Sequence, residues 1–419
     1  MSPTPVITGL GFVTSIGHSR QTVAVALREL RHGFGKWNPG DDVGTDVRLA
    51  GLLRGIDVQS TSPAAWSWPA EFDVDAAEVR AMPPHGVYAL AAVRQALAEA
   101  GLVKDDINDG LTGLYCASGG SPRMLHHHLS RLKASGWLKG HPHCILSSVA
   151  GCLNFHLGGI LGIRGSSCGF ASACASGSHA LGYAVDEIRL GRQDRMIVVG
   201  AEDLNAESLV PFRAMGVLSC SDDPWKASCP FDRGREGFVG TGGAVALVVE
   251  SADAAQRRRA RPMARVTGWG QSCDGYHPAM PHSEGRGLAD AMRCALRDAQ
   301  TTPCDVDHVN AHGTGTQAGD RAEARALRSV FGDDHRPAVC STKALTGHGL
   351  SLSGAMEAAF CVLAIDEAMI PGQAHLTEPD EDSALLHLPR ETCSRRPNVV
   401  LNNSSGFGGS NVVHVIQSL

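Results

Sequence analysis

An internal repeat restricts the fold of this chain more than any other feature of its sequence. Residues 93–100 (VRQALAEA) are echoed by residues 292–299 (MRCALRDA). Each copy is followed by a strand-like run that reaches a glycine-bearing turn, at 114–119 and at 309–313, and later by a helical segment rich in Gly, Ala and Ser. The same three features in the same order, met twice, predict two structurally related halves.

The local patterns within each half are those of an α/β protein. Short runs rich in Val and Ile alternate with helical patterns, as expected for buried strands surrounded by helices. Residues 195–200 and 245–249 are predicted strands. Two prolines at 83–84 open a helical pattern that Gly101 closes.

The boundary between the halves is predicted near residue 255. Residues 251–261 are rich in Ala and Arg and form the predicted connection, which gives domains at residues 1–255 and 256–419. Residues 35–70 carry Pro, Gly, Asp and three Trp. We interpret them as a surface excursion, either a lid on the substrate side or an oligomer contact.

Composition disfavours several classes of protein. The 419 residues are 43% apolar and 19% charged, so the chain can bury a core, and its net charge of −6 disfavours a general nucleic-acid binder. The sequence has neither an apolar run long enough to cross a membrane nor a signal-peptide pattern, so we expect a cytoplasmic protein. The 13 cysteines include no CxxC pair, which disfavours a disulfide scaffold and a zinc ribbon.

Four segments carry residues that could perform chemistry. In the first, 172–178 (SACASGS), Cys174 precedes a helical pattern, where a helix N-terminus would lower its pKa and favour the thiolate that thioester chemistry needs. A buried structural cysteine is the alternative. In the second, His312 ends a predicted strand before a turn in which Thr314 and Thr316 could hold a polar ligand chain. A plain turn with a satisfied histidine is the alternative there.

The third and fourth segments add a cation, a second histidine and a glycine loop. Lys343 and His348 flank a turn before a helical pattern, with Glu357 as a partner two to three turns beyond; a solvated lysine is the alternative. Phe407 lies in the glycine-rich run 402–411 (NNSSGFGGSN). The backbone N–H groups of such a run could form an oxyanion hole, or the run could be a plain hairpin turn.

Together, and in this order, the four segments resemble the motifs of the β-ketoacyl-acyl-carrier-protein synthases of the decarboxylating Cys-His-His type. The resemblance extends from residues 6–11 to the final strand. It implies the thiolase-like fold, two duplicated α/β halves in a layered α-β-α-β-α arrangement. It also implies an acyltransferase: a ketosynthase that joins an acyl group held on Cys174 to malonyl-acyl carrier protein by decarboxylative Claisen condensation, in type II fatty-acid, polyketide or polyene biosynthesis.

The resemblance implies the roles of the three residues closest to the chemistry. Cys174 would be the nucleophile that receives the acyl chain. His312 and His348 would promote the loss of carbon dioxide and stabilise the enolate oxygen. No metal is expected, and the triple histidine at 126–128 is interpreted as a polar face because adjacent residues cannot all face one ion.

The remaining roles concern the shape of the site. Lys343 would organise the site electrostatically, with Glu357 in support. Phe407 would be the gate, and its N–H with that of the nucleophilic cysteine would form the oxyanion hole. Thr314 and Thr316 would hold the phosphopantetheine arm.

Three departures from the family pattern concern chain length and partner choice rather than the nucleophile. Ser405 stands where the family often has a phenylalanine, and Thr241 stands in a glycine run that usually carries an acidic residue. Residues 115–124, which align with an acyl-pocket wall, contain no aliphatic stop.

Two alternatives stay open: a non-condensing acyltransferase on the same fold, and a non-catalytic heterodimer partner that shapes the pocket of another subunit. A thiolase is disfavoured because no cysteine follows Cys393.

The resemblance further implies an acyl carrier protein as partner, a homodimer or a heterodimer with a related subunit, and no cofactor beyond the phosphopantetheine of the carrier. No nucleic acid and no membrane span are expected.

Overall fold

The computed structural model describes residues 3–39, 44–136, 143–333 and 335–419. The strands of this part of the chain are β1 (Pro5–Val13), β2 (Phe34–Lys36), β3 (Leu49–Gly51), β4 (Thr112–Ala117), β5 (Ser167–Phe170), β6 (Arg195–Glu202), β7 (Gly243–Ser251), β8 (Ala264–Cys273), β9 (His308–Asn310), β10 (Ala338–Cys340), β11 (Val399–Gly406) and β12 (Ser410–Gln417). Its α-helices are α1 (Arg20–Arg28), α2 (Ala76–Val79), α3 (His85–Ala100), α4 (Lys104–Ile107), α5 (Pro122–Ser135), α6 (Cys152–Leu161), α7 (Ser176–Arg189), α8 (Ala206–Ala214), α9 (Pro224–Ala227), α10 (Ala252–Arg257), α11 (Arg286–Asp298), α12 (Gln317–Phe331), α13 (Lys343–Thr346) and α14 (Ser353–Asp366). None of these helices has both the length and the apolar character that a bilayer crossing requires.

Ten of these strands form one sheet, to which each half of the chain supplies five neighbouring strands. The first half contributes the order β1-β7-β6-β4-β5 and the second half the order β8-β12-β11-β9-β10. In the first half, β7 is antiparallel to both β1 and β6, whereas β6, β4 and β5 are parallel to one another. In the second half, β12 is antiparallel to both β8 and β11, whereas β11, β9 and β10 are parallel to one another. The two halves therefore share one topology, which confirms the duplication predicted from the repeat.

The echoed segment of the first half is a helix that lies directly on glycines of the sheet. Gly9 and Gly11 of β1 face α3, and a Cβ built on them would lie 2.1 Å from the carbonyl oxygen of Ala96 and 1.8 Å from that of Ala92. Helix and strand backbones can approach this closely only because the strand has no side chains here and the helix has small ones.

The second half repeats this contact at corresponding positions. Gly268 and Gly270 of β8 face α11, and a Cβ on them would lie 2.6 Å from the carbonyl oxygen of Ala295 and 2.4 Å from that of Ala291. The sequence repeat therefore reflects a packing requirement: in each half, an alanine-rich helix packs closely on a strand with a Gly-x-Gly sequence.

The two inner helices, α7 and α14, pack against each other, α7 on β6 and β4 and α14 on β11. Their closest approach lies at their first turns. A Cβ on Gly177 would lie 2.5 Å from the backbone nitrogen of Ala355, and one on Gly354 would lie 2.6 Å from that of Ser178. With α3 and α11 on the outer faces, the layers follow the predicted α-β-α-β-α order.

The predicted helix and the two predicted strands are confirmed. The helix opened by the prolines spans His85–Ala100 and ends at Gly101, whose φ of 67° lies in the left-handed region. The predicted strands are β6 and β7. Helix α10 occupies part of the predicted connection at 251–261, and Arg258 in it forms an ion pair with the buried Glu250.

Residues 35–39 and 44–70 lie outside the main sheet and are largely exposed or half-buried, which agrees with a surface excursion that is anchored to the core; residues 40–43 lie outside the described residues. Strands β2 and β3 pair with each other, and Trp66 is buried. The hydroxyl of Thr241 donates a hydrogen bond to the carbonyl oxygen of Gly51 at 2.9 Å. Thr241 therefore anchors this element to the core.

Substituting Gly11→Ala tests the helix–strand contact. The added Cβ would overlap the backbone of α3, so we expect a loss of about 1–3 kcal/mol in the free energy of unfolding, measured by denaturant titration. Gly159→Ala is the matched control because it adds a Cβ to an exposed helical position with nothing within 4 Å. Equal stability of the two variants would contradict the proposed packing requirement.

Candidate active site

Cys174 lies in a tight turn between β5 and α7. The residue before it, Ala173, has a φ of 51°, which only a constrained turn imposes on a residue with a side chain. Helix α7 begins at Ser176 with Ala175 as its N-cap. The half-buried thiol thus stands immediately before a helix N-terminus, as the sequence predicts.

His348 reaches the thiol from the second half of the chain. Its Nε2 is 3.0 Å from Sγ of Cys174, and its Nδ1 is 2.9 Å from the hydroxyl oxygen of Ser353. That oxygen already accepts the N–H of Gly349 at 3.0 Å. Because the hydroxyl can then donate its own proton to Nδ1, the ring proton of His348 is assigned to Nε2, facing the sulfur.

His312 is the second ring at the site, with its centroid 5.5 Å from that of His348. The backbone N–H groups of His312 and Gly313 donate to the carboxylate of Glu323 at 2.9 and 2.7 Å. Nζ of Lys343 lies 2.7 Å from the carbonyl oxygen of His312 and 3.4 Å from its Nδ1. With the lysine as donor, Nδ1 accepts and Nε2 of His312 carries the ring proton.

Burial controls the charges of this site. Lys343 is fully buried and forms an ion pair with the equally buried Glu357. Burial raises the pKa of Glu357 to about 7, while Lys343 acts in the opposite direction. Burial, and after it the charge of Lys343, holds the pKa of His312 and of His348 well below the ordinary value of 6.5. Both rings are therefore neutral at physiological pH and present N–H donors.

The expectation of a lowered pKa for Cys174 is wrong in direction. Burial raises the pKa of this thiol to about 12, although the nearby charge of Lys343 lowers it. The free-energy cost of removing the thiolate from water exceeds the stabilisation that Lys343 and the helix N-terminus give to the thiolate. The thiol is thus protonated at neutral pH, and the N–H donor of His348 stabilises the sulfur when negative charge develops on it.

An open cavity of about 330 Å³ leads to Cys174, His312 and His348. Thr314 and Thr316 line it, with their hydroxyl oxygens 3.0 Å apart. The structure therefore places both predicted arm-binding threonines on the path to the thiol.

Phe407 also lines this cavity, on the loop between β11 and β12. Its partly exposed ring lies 5.9 Å from the ring of Phe212. The loop touches the nucleophile's turn: a Cβ on Gly406 would lie 3.1 Å from the backbone nitrogen of Cys174 and 2.8 Å from the carbonyl oxygen of Ser172. The two backbones lie side by side, as an oxyanion hole built from both requires.

Sequence reasoning missed two residues that hold the histidines in place, Glu323 and Ser353. Glu323 accepts the backbone N–H groups around His312 and also the side-chain amide of Asn403 at 3.1 Å. Its signal in the sequence is an acidic residue on the buried, alanine-rich face of α12. Ser353 offers no such signal, because a serine at a helix start is usually a cap.

The donor atoms of Cys174, His312 and His348 lie within 4.8 Å of one another, a spacing and a set of ligand types that zinc also accepts. The expectation that no metal is needed stays a prediction. Of the triple histidine on α5, His126 is exposed, whereas His128 is buried with its Nε2 3.1 Å from the hydroxyl oxygen of Ser147. The polar-face interpretation therefore does not describe His128.

Comparison with known proteins agrees with this geometry. Residues 5–255 match the family model of the β-ketoacyl synthase N-terminal domain, and residues 263–377 match that of its C-terminal domain. The 3-oxoacyl-[acyl-carrier-protein] synthase 1 of Escherichia coli (strain K12) is 35% identical over 419 residues, which cover 99% of this chain and 98% of the relative.

Two solved structures superpose over the full length of both chains. The ishigamide ketosynthase/chain length factor gives a TM-score of 0.88 at 30% sequence identity. AntDE:AntF, a type II polyketide synthase acyl carrier protein in complex with its ketosynthase bound to the hexaketide, gives 0.87 at 26% identity. The predicted thiolase-like fold is confirmed, and the chain belongs to the β-ketoacyl synthase family of condensing acyltransferases.

Proposed function

We propose that this chain joins an acyl group held on Cys174 to malonyl-acyl carrier protein by decarboxylative Claisen condensation. The observation that carries the proposal is the convergence of the Cys174 sulfur and the rings of His312 and His348 at the inner end of one open cavity. A nucleophilic sulfur beside two neutral N–H donors can both accept an acyl group and stabilise an enolate, which are the two halves of this reaction.

In the first half-reaction, the sulfur of Cys174 attacks the carbonyl carbon of an acyl thioester. The bond from that carbon to the carrier's sulfur breaks, and the proton of the Cys174 thiol ends on the departing carrier thiol. The backbone N–H groups of Cys174 and Phe407 hold the developing oxyanion, and Nε2 of His348 donates to the attacking sulfur.

In the second half-reaction, the bond between the malonyl carboxylate and the α-carbon breaks. Carbon dioxide leaves, and the electron pair of the broken bond is delocalised onto the thioester oxygen. The Nε2–H groups of His312 and His348 donate hydrogen bonds to this enolate oxygen. The α-carbon then attacks the carbonyl carbon of the acyl group, the bond from that carbon to the Cys174 sulfur breaks, and the departing thiolate takes up one proton from solvent. Burial, and after it the charge of Lys343, lowers the pKa of both imidazoles and keeps them neutral.

The substrates are expected on the phosphopantetheine of an acyl carrier protein, so no free cofactor is required. The relative from Escherichia coli is named for such a carrier, and AntDE is a ketosynthase in complex with one. Thr314 and Thr316 would hold the arm along the cavity. The pathway is type II fatty-acid or polyketide synthesis, and the site of action is the cytoplasm.

A dimer is part of this proposal, with a second copy or a related subunit. Strand β5 is one of the two outer strands of the sheet, and its residues are largely exposed, so its unpaired edge is open to another chain. The likeness to a ketosynthase/chain length factor supports the heterodimer. The domain boundary near residue 255 stays a prediction.

Cys174→Ala tests the nucleophile. We expect the variant to fold and to form no acyl-enzyme, because no sulfur remains to receive the acyl group. Intact-protein mass spectrometry after incubation with acyl carrier proteins of different chain length measures the adduct. Cys273→Ala, which removes an exposed thiol beside the gate loop, is the control and should acylate normally. Acylation of Cys174→Ala would refute the assignment, and failure of the wild type to acylate would favour a non-catalytic partner.

His312→Ala and His348→Ala test the decarboxylation pair. Each should slow carbon dioxide release from a malonyl thioester by on the order of 10²–10⁴, and more than it slows acylation, because the enolate loses a donor. His126→Ala, on an exposed position, is the control. A larger effect on acylation than on decarboxylation would show that the histidine roles are assigned wrongly.

The lowered pKa of His312 and His348 gives a pH test. Because the neutral rings are the active form, the acid limb of the decarboxylation profile should lie well below pH 6.5. Lys343→Met removes a positive charge that lowers the pKa of His312 and of His348, so the acid limb of this variant should move to higher pH. Lys226→Met, on an exposed lysine, should leave the profile unchanged. An unmoved limb in Lys343→Met would contradict the electrostatic role of this lysine.

A further inference from the structure

A fully buried arginine outside the reacting groups is fastened to the loop that carries Thr314 and Thr316. Nε of Arg235 donates to the carbonyl oxygen of Thr316 at 3.2 Å, and Nη2 donates to that of Gln317 at 3.1 Å. Nη1 donates to the carbonyl oxygen of Asp232 at 2.7 Å. The side chain has no measurable exposure to solvent.

Asp320 holds the other side of the same loop. Its Oδ1 accepts the N–H of Gly315 at 3.1 Å, and its Oδ2 accepts the N–H of Phe231 at 2.8 Å. Oδ2 also lies 3.4 Å from Nε of Arg235. Arg235 also pairs with Asp380, whose Oδ2 lies 2.6 Å from its Nη2. Arg235 and Asp320 together therefore tie down the backbone between the two threonines and the backbone directly after them.

The loop needs such support. Gly313 and Gly315 flank Thr314 with φ values of 27° and 79°, so the segment has the conformational freedom of glycine where two hydroxyls must be held in place. A buried ion pair adds little net stability, because desolvation offsets the Coulomb attraction. Stability is thus a weak explanation for burying Arg235 and Asp320, whereas their contacts to this loop give them a specific task.

We propose that Arg235 and Asp320 are positioning residues for the phosphopantetheine arm. They fix the loop so that the hydroxyls of Thr314 and Thr316 contact the arm together, and they thereby set the affinity for pantetheine-linked substrates without acting in the chemistry. This inference rests on the proposed function, which supplies the arm.

The test compares two acyl donors that carry the same acyl group: an acyl-pantetheine and the corresponding S-ethyl thioester, which lacks the arm. Acylation of Cys174 is followed by mass spectrometry in the wild type, Arg235→Lys and Asp320→Asn. We expect KM for the acyl-pantetheine to rise about tenfold, the effect of losing one or two positioned hydrogen bonds, with little change in kcat. The rate with the S-ethyl thioester should stay as in the wild type.

Thr316→Val gives a second readout, which a merely structural role would not move. If Arg235 acts through this loop, the double variant with Arg235→Lys should raise KM by less than the product of the two single effects, because one of the two hydroxyls to be positioned is gone. Arg195→Lys is the matched control: Arg195 is a buried arginine paired with Glu250, and its substitution should leave KM for the acyl-pantetheine unchanged.

The outcomes separate this inference from the proposed function. A wild type that neither donor acylates at Cys174 would overturn the proposed function and this inference with it. If the wild type is acylated, three results would overturn this inference alone. They are an unchanged KM in both variants, an equal loss of acylation rate with the two donors, and effects on KM that are additive with those of Thr316→Val. If Asp320→Asn does not fold, Arg235→Lys carries the test, because it keeps the buried charge.

Discussion

The close crossing of the two inner helices is the constraint on which the site depends. Gly177 and Gly354 bring the first turns of α7 and α14 to backbone contact. Cys174 precedes one helix and His348 precedes the other, so the same crossing brings a thiol from the first half within 3.0 Å of an imidazole from the second. A side chain at either glycine would separate the helices and, with them, the nucleophile and its donor.

Duplication has produced two halves of one topology that contribute different chemistry. In the first half, strand β5 leads into the turn that carries Cys174. The second half supplies His312, His348, Lys343 and the glycine-rich loop of Phe407. The common frame fixes where the strand ends and the inner helices begin. The residues placed at those points then differ between the halves, so a symmetric scaffold carries an asymmetric site.

Burial gives the site its electrostatic character and has a cost. It keeps His312 and His348 neutral, as donors to an enolate must be, and Lys343 reinforces this effect. It also keeps the thiol of Cys174 protonated, so the developing charge on sulfur depends on donors already in place. Donors held in place by the fold thus favour the condensation step, and the charge that develops on the sulfur depends on these neighbouring donors.

The sequence by itself determined the duplication and the α/β class. It also predicted the residues that meet at the candidate site, because each of them lies in a short motif whose residue types the proposed reaction requires. The tertiary structure alone decided the direction of the Cys174 pKa shift, since desolvation depends on the surroundings that the whole fold provides. It also revealed the roles of Glu323 and Ser353, whose contacts with the histidine backbone and ring arise only on folding. The hydrogen bond that anchors Gly51 to Thr241 was also visible only in the structure, because long-range hydrogen bonds leave no periodic pattern in a sequence.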